Sequence, residues 1–185
     1  YNYIFQTICK NGYLEIAKIF INFIPEIDIL DSNNRAFNIS CENGHIEVAK
    51  WLLEMRPDME IFGETQHSFK MACKNGHLDI AKWLLEVMQE EDINYYYIFE
   101  EVTTSGNLEI AKWLFEIKPY IIIKTNETNE TNETQEYTEE EENIEDVFLS
   151  ACVNGHLKIL EFILSIKNII YFPTRDYNYI FQTIC

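Results

Sequence analysis

The chain has 185 residues, 47% of them hydrophobic and 24% charged, and its 14 Lys and Arg against 31 Asp and Glu leave a formal net charge of −17. That composition suits a folded domain with a sizeable core, while the negative charge would repel a phosphate backbone and argues against nucleic acid as a partner. No 18-residue apolar run and no secretory-signal pattern occurs, so a soluble chain with no membrane partner is expected.

Along the chain one phrase returns five times: CKNGYLEIAKIFIN from Cys9, CENGHIEVAKWLLE from Cys41, CKNGHLDIAKWLLE from Cys73, TTSGNLEIAKWLFE from Thr103 and CVNGHLKILEFILS from Cys152. Upstream anchors at Phe5, Phe37, Phe69, Phe99, Phe148 and Phe181 are spaced by 32, 32, 30, 49 and 33 residues. A period of this size marks a solenoid, whose units cannot bury their own apolar faces and must stack.

Within the copy at 69–88, Phe69, Ala72 and Cys73 fall at i, i+3 and i+4, a short apolar helix face that ends at Asn75-Gly76, where glycine permits a left-handed stop. A second helix follows, with Leu78, Ala81 and Leu85 on one stripe and Ile80, Leu84 and Val87 beside it. An apolar arc that wide has to be covered on more than one side. Met88 to Tyr97 is too short for a third helix and rich in extended formers, so each unit reads as two antiparallel helices plus an extended connection.

The 49-residue interval contains KTNETNETNETQEYTEEEENIED, from Lys124 to Asp146, with one aromatic residue, Tyr137, and one aliphatic residue, Ile144. Such a stretch cannot offset the entropy of ordering its backbone and reads as a flexible insertion, either a passive loop or a lure for a basic partner. Its Asn126, Asn129 and Asn132 match a glycosylation sequon, but so does Asn38 inside a predicted helix, and the glycosylation reading is not favoured. The expected organisation is therefore four repeats in 1–123, an acidic insertion at 124–146, and a fifth repeat with the start of a sixth in 147–185. Residues 177–185 repeat YNYIFQTIC from 1–9 unchanged, which suggests an excerpt of a longer array.

GHLDIAKWLLE resembles the second-helix signature of ankyrin repeats, and Phe69-x-x-Ala72-Cys73 stands in the place of that family's first-helix Leu-His-x-Ala-Ala. The resemblance implies an all-α solenoid of stacked helix-turn-helix repeats with short hairpin connections. The family's Thr-Pro-Leu-His opening is absent, and Pro25, Pro57 and Pro119 stand where its glycine after the second helix would be. The Ala-Lys-Trp-Leu wording, rich in Asn, Ile, Tyr and Phe, is similar to ankyrin proteins of giant DNA viruses of amoebae, which would make the partner a host protein and the location intracellular.

Cys9, Cys41, Cys73, Cys152 and Cys185 share one repeat position, for which the resemblance implies a small buried residue. Stacked equivalents would lie roughly 8–10 Å apart, beyond the roughly 7 Å Cα limit for a disulfide, so free thiols and a reducing compartment are expected. His45, His77 and His156 follow the turn glycine, with Tyr13 and Asn107 in the other copies, a substitution pattern that suits a loop role better than a metal set. Trp51, Trp83 and Trp113, with Ile19 and Phe162 at equivalent places, read as a ladder between repeats. Glu15, Glu47, Asp79 and Glu109 suit the helix dipole and can pair with Lys18, Lys50, Lys82 and Lys112 three residues on, whereas Lys158 and Glu161 reverse that order.

No nucleophile beside a base, phosphate-cradling loop or metal motif is found, so no enzyme, cofactor or metal is expected. The expected function is a non-catalytic module that binds a protein. The alternatives are a structural spacer within a longer array, or the substrate-recruiting part of a ubiquitin-ligase adaptor whose effector motif lies elsewhere. The resemblance implies that hairpin tips and the first-helix face form the partner surface. The copies differ there at Asn33, Asn34, Glu64, Gln66, Tyr95, Tyr96 and Tyr97 in the connections, and at Glu42, Lys74 and Thr104 near first-helix ends. The three tyrosines are the leading candidates, as tyrosine gives contact area at low entropy cost, although strand alternation would bury at least one of them.

Overall fold

The computed structural model describes residues 1–27, 31–56, 61–88, 93–119 and 144–166, with side chains at all of these except 31–33, 61–65 and 144–145. Its ten helices and absence of strands, among the described residues, make the protein all-α. Two compact units divide it, Tyr1–Ile93 and Asn94–Cys185. The first holds three helix pairs, α1 (Asn2–Lys10) with α2 (Leu14–Phe23), α3 (Asp31–Glu42) with α4 (Ile46–Met55), and α5 (Ile61–Lys74) with α6 (Leu78–Met88). The second holds α7 (Tyr95–Ser105) with α8 (Leu108–Ile117), and α9 (Ile144–Val153) with α10 (Leu157–Ser165). First helices stack on first helices, α1 on α3 on α5 in one unit and α7 on α9 in the other.

The glycine after each first helix stops it as its spacing predicts. Gly76 sits at φ +87 and donates to the Cys73 carbonyl, while His77 N–H donates to Ala72. These two bonds close the Schellman turn and satisfy carbonyls that the helix leaves open. Second helices end by another route. Ile24, Arg56 and Lys118, at φ −131, −136 and −137 with ψ near 72, each precede a proline, and the proline ring excludes the helical region for the residue before it. At the end of α10, where Lys167 follows the cap in place of proline, Ile166 stays in the right-handed helical region.

The expected anchors Phe5, Phe37, Phe69 and Phe99 are buried at 3% exposure or less. The fifth repeat departs from this. Phe148 is half-buried, and the neighbouring Val147 fills the core at 1% exposure, in register with Ala36, Ser68 and Ile98. Cys9, Cys41 and Cys73 are buried free thiols and Cys152 is a half-buried one, as expected, and Thr103 fills the same position in the fourth repeat with its hydroxyl turned back to the Glu100 carbonyl. Burial pushes the Cys9 thiol up to about 12 and raises those of Cys41, Cys73 and Cys152 as well. Cys185 lies outside the described residues.

Successive repeats are joined by the residue after the turn glycine. The carbonyl of Glu42, at the end of α3, accepts from His77 Nε2 at 3.1 Å and from Asn75 Nδ2 at 2.8 Å, and the Thr104 carbonyl accepts from His156 Nε2 at 2.9 Å. A carbonyl can only accept, so each ring carries its proton on Nε2. The imidazoles lie against the preceding repeat's glycine: a Cβ on Gly44 would stand 2.7 Å from the His77 ring, and one on Gly106 2.7 Å from His156. These histidines therefore do serve the loops, but across repeats.

Of the expected ladder between repeats, Trp83 and Phe162 make ring contacts with the preceding repeat, Trp83 on a first helix and Phe162 on a second, whereas Ile19 is exposed. Trp83 lies 6.2 Å from Phe37 of the preceding repeat, and Phe162 lies 5.9 Å from Phe115. The expected carboxylate–lysine pair forms at Glu15–Lys18, at 2.8 Å. Lys50 and Lys112 instead stand over the next repeat's rings, Trp83 at 5.9 Å and Phe162 at 6.0 Å, where a cation gains from the ring quadrupole.

Candidate functional site

The sequence reading drew Met88 to Tyr97 as an extended connection; residues 89–92 lie outside the described ones, and the structure corrects the last three. Tyr95, Tyr96 and Tyr97 form the first turn of α7, because Asn94 caps it, its Oδ1 accepting from Tyr97 N–H at 2.9 Å. Asparagine at that place is a strong helix start, a signal available in the sequence. Strand alternation therefore does not decide their burial: Tyr95 and Tyr96 are half-buried and Tyr97 is 43% exposed. The Tyr95 ring lies 5.3 Å from Lys118 Nζ, and Tyr97 donates to Glu101 at 3.2 Å.

The other candidates are helical as well. Asn33 and Asn34 lie in α3, and Glu64 and Gln66 in α5; the side chains of Asn33 and Glu64 are outside the described ones. Asn34 takes φ +57, a left-handed conformation that asparagine tolerates better than most residues. Gln66 is half-buried. Glu42 and Lys74 end α3 and α5, in the register of Lys10 at the end of α1. Thr104, next to the end of α7, is tied into the second unit, with its hydroxyl 2.6 Å from Ser150 Oγ. Tyr95, Tyr96, Tyr97 and Thr104 thus belong to one unit and the remaining candidates to the other. The segment drawn as an acidic insertion ends inside α9, which opens at Ile144; residues 120–143 and the nine-residue repeat at 177–185 lie outside the described residues.

One first-helix row, from which the sequence reading took only Tyr97, is exposed in every copy. Two residues before each anchor stand Tyr3, Arg35, His67, Tyr97 and Asp146, all exposed and no two adjacent copies alike. Next to it, two residues after the anchor, stand Thr7, Ile39, Met71, Glu101 and Ser150. Helical spacing places residues four apart on one face, so within each unit these rows and the Lys10, Glu42, Lys74, Thr104, Val153 row share the outward side of that unit's first helices. The signal was the lack of any common residue type at a fixed offset from the phenylalanine.

Among the described residues no three His, Cys, Asp or Glu side chains gather as a metal site, and no helix is long and apolar enough to cross a membrane. Residues 41–85, covering the end of α3 through α6, match the family model described as ankyrin repeats (many copies). No curated protein matches the chain. Fold and match together fit an all-α ankyrin solenoid. Ankyrin repeats are generally protein–protein interaction modules and generally non-catalytic.

Proposed function

We propose that this protein binds a protein partner through the outward side of its first helices and performs no chemistry on it. One observation carries the reading. The residues common to the repeats are consumed by stacking, while the exposed register of Tyr3, Arg35, His67, Tyr97 and Asp146 is free to differ. Repetition supplies stability and leaves the variable positions for recognition. Buried free thiols favour an intracellular location, and a viral source for the repeats would make the partner a host protein; a ubiquitin-ligase adaptor would be one use of such a surface.

Affinity capture tests this against a spacer. Arg35→Ala and Tyr97→Ala should each release a captured partner, whereas Glu54→Ala and Lys82→Ala, on the exposed side of second helices, should retain it. A partner indifferent to all four but lost on deleting one whole repeat would establish the spacer instead.

A further inference from the structure

The repeats are not covered alike. In the first unit α3 packs on α1 and α5 on α3. Ala36 and Ser68 are 3% and 1% exposed there, and Val48 and Ile80 are 1% and 0% exposed. The same two places in α1 and α2 hold Ile4 and Ile16, which are 48% and 50% exposed. Tyr13 and Ile19 are exposed beside them, at the places from which His77 reaches Glu42 and Trp83 reaches Phe37 in the preceding repeat. The leading face of α1 and α2 is thus a packing surface of the kind that later repeats bury, and it is apolar.

In α9 and α10 the opposite, trailing face is the open one. Leu157 and Leu164 are exposed, and Phe148 and Cys152 are half-buried where Phe37, Phe69, Cys41 and Cys73 are buried. Gly12, Gly44 and Gly106 each lie against the histidine ring of the next repeat, whereas a Cβ on Gly155 would meet nothing within 4 Å.

Laid together in the register of the repeats, the two faces match. Ser68, at the Ile4 place, donates its hydroxyl to Asn38 Oδ1 at 2.7 Å, and the Asn38 place in α9 is Leu149, so a polar pair gives way to Ile4 on Leu149. At the Ile19 place, Trp83 lies against Phe37 and Phe162 against Phe115. Those two partner places in α9 and α10 are Phe148 and Leu164, apolar again. Tyr13 falls on Gly155, whose Cβ side is open.

We propose that α1 and α2 of one chain stack head to tail on α9 and α10 of a second copy, continuing across two chains the packing that joins one repeat to the next. The occupant follows from that register, because the residues that cover equivalent leading faces have their counterparts on the open trailing face. Such a contact is heterologous and leaves a face of each kind free at the ends of a stack, so growth need not stop at two copies. Two chains of net charge −17 repel, and salt that screens them favours the stack.

The test is sedimentation velocity of the full chain from low to high micromolar concentration, at low and at physiological salt. A mass that rises with concentration, and rises further with salt, is expected. Ile16→Glu places a carboxylate in the leading face and Leu164→Glu one in the trailing face, and each should weaken association about tenfold. An equal mixture of these two variants should associate as strongly as the wild type and stop at a pair, since each keeps the face that the other has lost. Lys82→Glu and Arg35→Ala lie outside the junction and should leave association unchanged, which separates it from capture of a partner on the outward side. Should Ile16→Glu lower the melting temperature, Ile4→Ser, which copies Ser68, must still weaken association about threefold. A chain that stays monomeric at every concentration and at both salts overturns the proposal. So does a loss with Ile16→Glu but none with Leu164→Glu, the mark of one leading face on another, or a mixture of the two variants that stays monomeric.

Discussion

Replacing Gly44 with alanine separates the two tasks of the turn glycine. At φ +82 any L side chain is strained, by about 1–2 kcal/mol. The new methyl would also stand 2.7 Å from the His77 imidazole, so the ring must move and release its hydrogen bond to Glu42. A net hydrogen bond is worth about 0.5–1.5 kcal/mol, and Asn75 still serves the same carbonyl, which holds the loss near the lower part of that range. Gly44→Ala should therefore cost about 2–3 kcal/mol. In a His77→Ala background the ring is absent and the cost should fall to the backbone part alone, a coupling of about 0.5–1 kcal/mol. Gly155→Ala provides an internal comparison, since its φ is +72 but its Cβ would meet nothing within 4 Å. Urea unfolding of the wild type, both single variants and the double variant measures the cycle. Additive costs for Gly44→Ala and His77→Ala, or a Gly155→Ala cost as large as that of Gly44→Ala, would refute the inter-repeat role of the imidazole.

Three further outcomes follow from the geometry. Asn94→Ala removes the cap of α7 and should destabilise the second unit by about 1 kcal/mol in urea unfolding, with Asn94→Asp close to wild type; an unchanged midpoint for the alanine variant would count against the cap. The Cys9 thiol, held near 12 against 9.0 in the unfolded chain, keeps its proton in the native state while the unfolded state loses it. Its stabilising contribution is thus intact below pH 9 and lost as pH rises from 9 towards 12. The urea midpoint should fall over the accessible part of that range and fall less in Cys9→Ala, and native Cys9 should react slowly with a thiol reagent at pH 8. Amide exchange should be faster in α10, which has no acidic residue in its first turn, than in α6, where Asp79 occupies that turn; slower exchange in α10 would contradict the dipole argument.

Much of the local structure was legible from single positions. Gly76 announces a helix stop whatever surrounds it, because its left-handed φ depends on its own missing Cβ. The burial of Cys41 and Cys73 beside Phe37 and Phe69 follows from helical spacing alone. Tyr95 to Tyr97 were misread because β-propensity was weighed over three residues while the cap one residue earlier was not. Phe148 was taken for an anchor by its spacing and keeps that register, since Val147 before it is buried like Ala36, Ser68 and Ile98, yet Phe148 and Cys152 are only half-buried, a difference in cover that spacing along the chain does not encode.

What the sequence determined by itself is the repeat period, legible by comparing copies, and the helix pair with its glycine stop, proline exit and small buried residue, since these arise within one run such as Phe37 to Pro57. What only the tertiary structure decided is where long side chains go once a neighbour is stacked. His77 reaches back to Glu42 rather than capping its own helix, and Lys50 reaches Trp83. The physical reason is distance along the chain. Those partners lie some thirty residues apart, so no helical periodicity encodes their meeting, and the packing of one pair on the next brings them within reach.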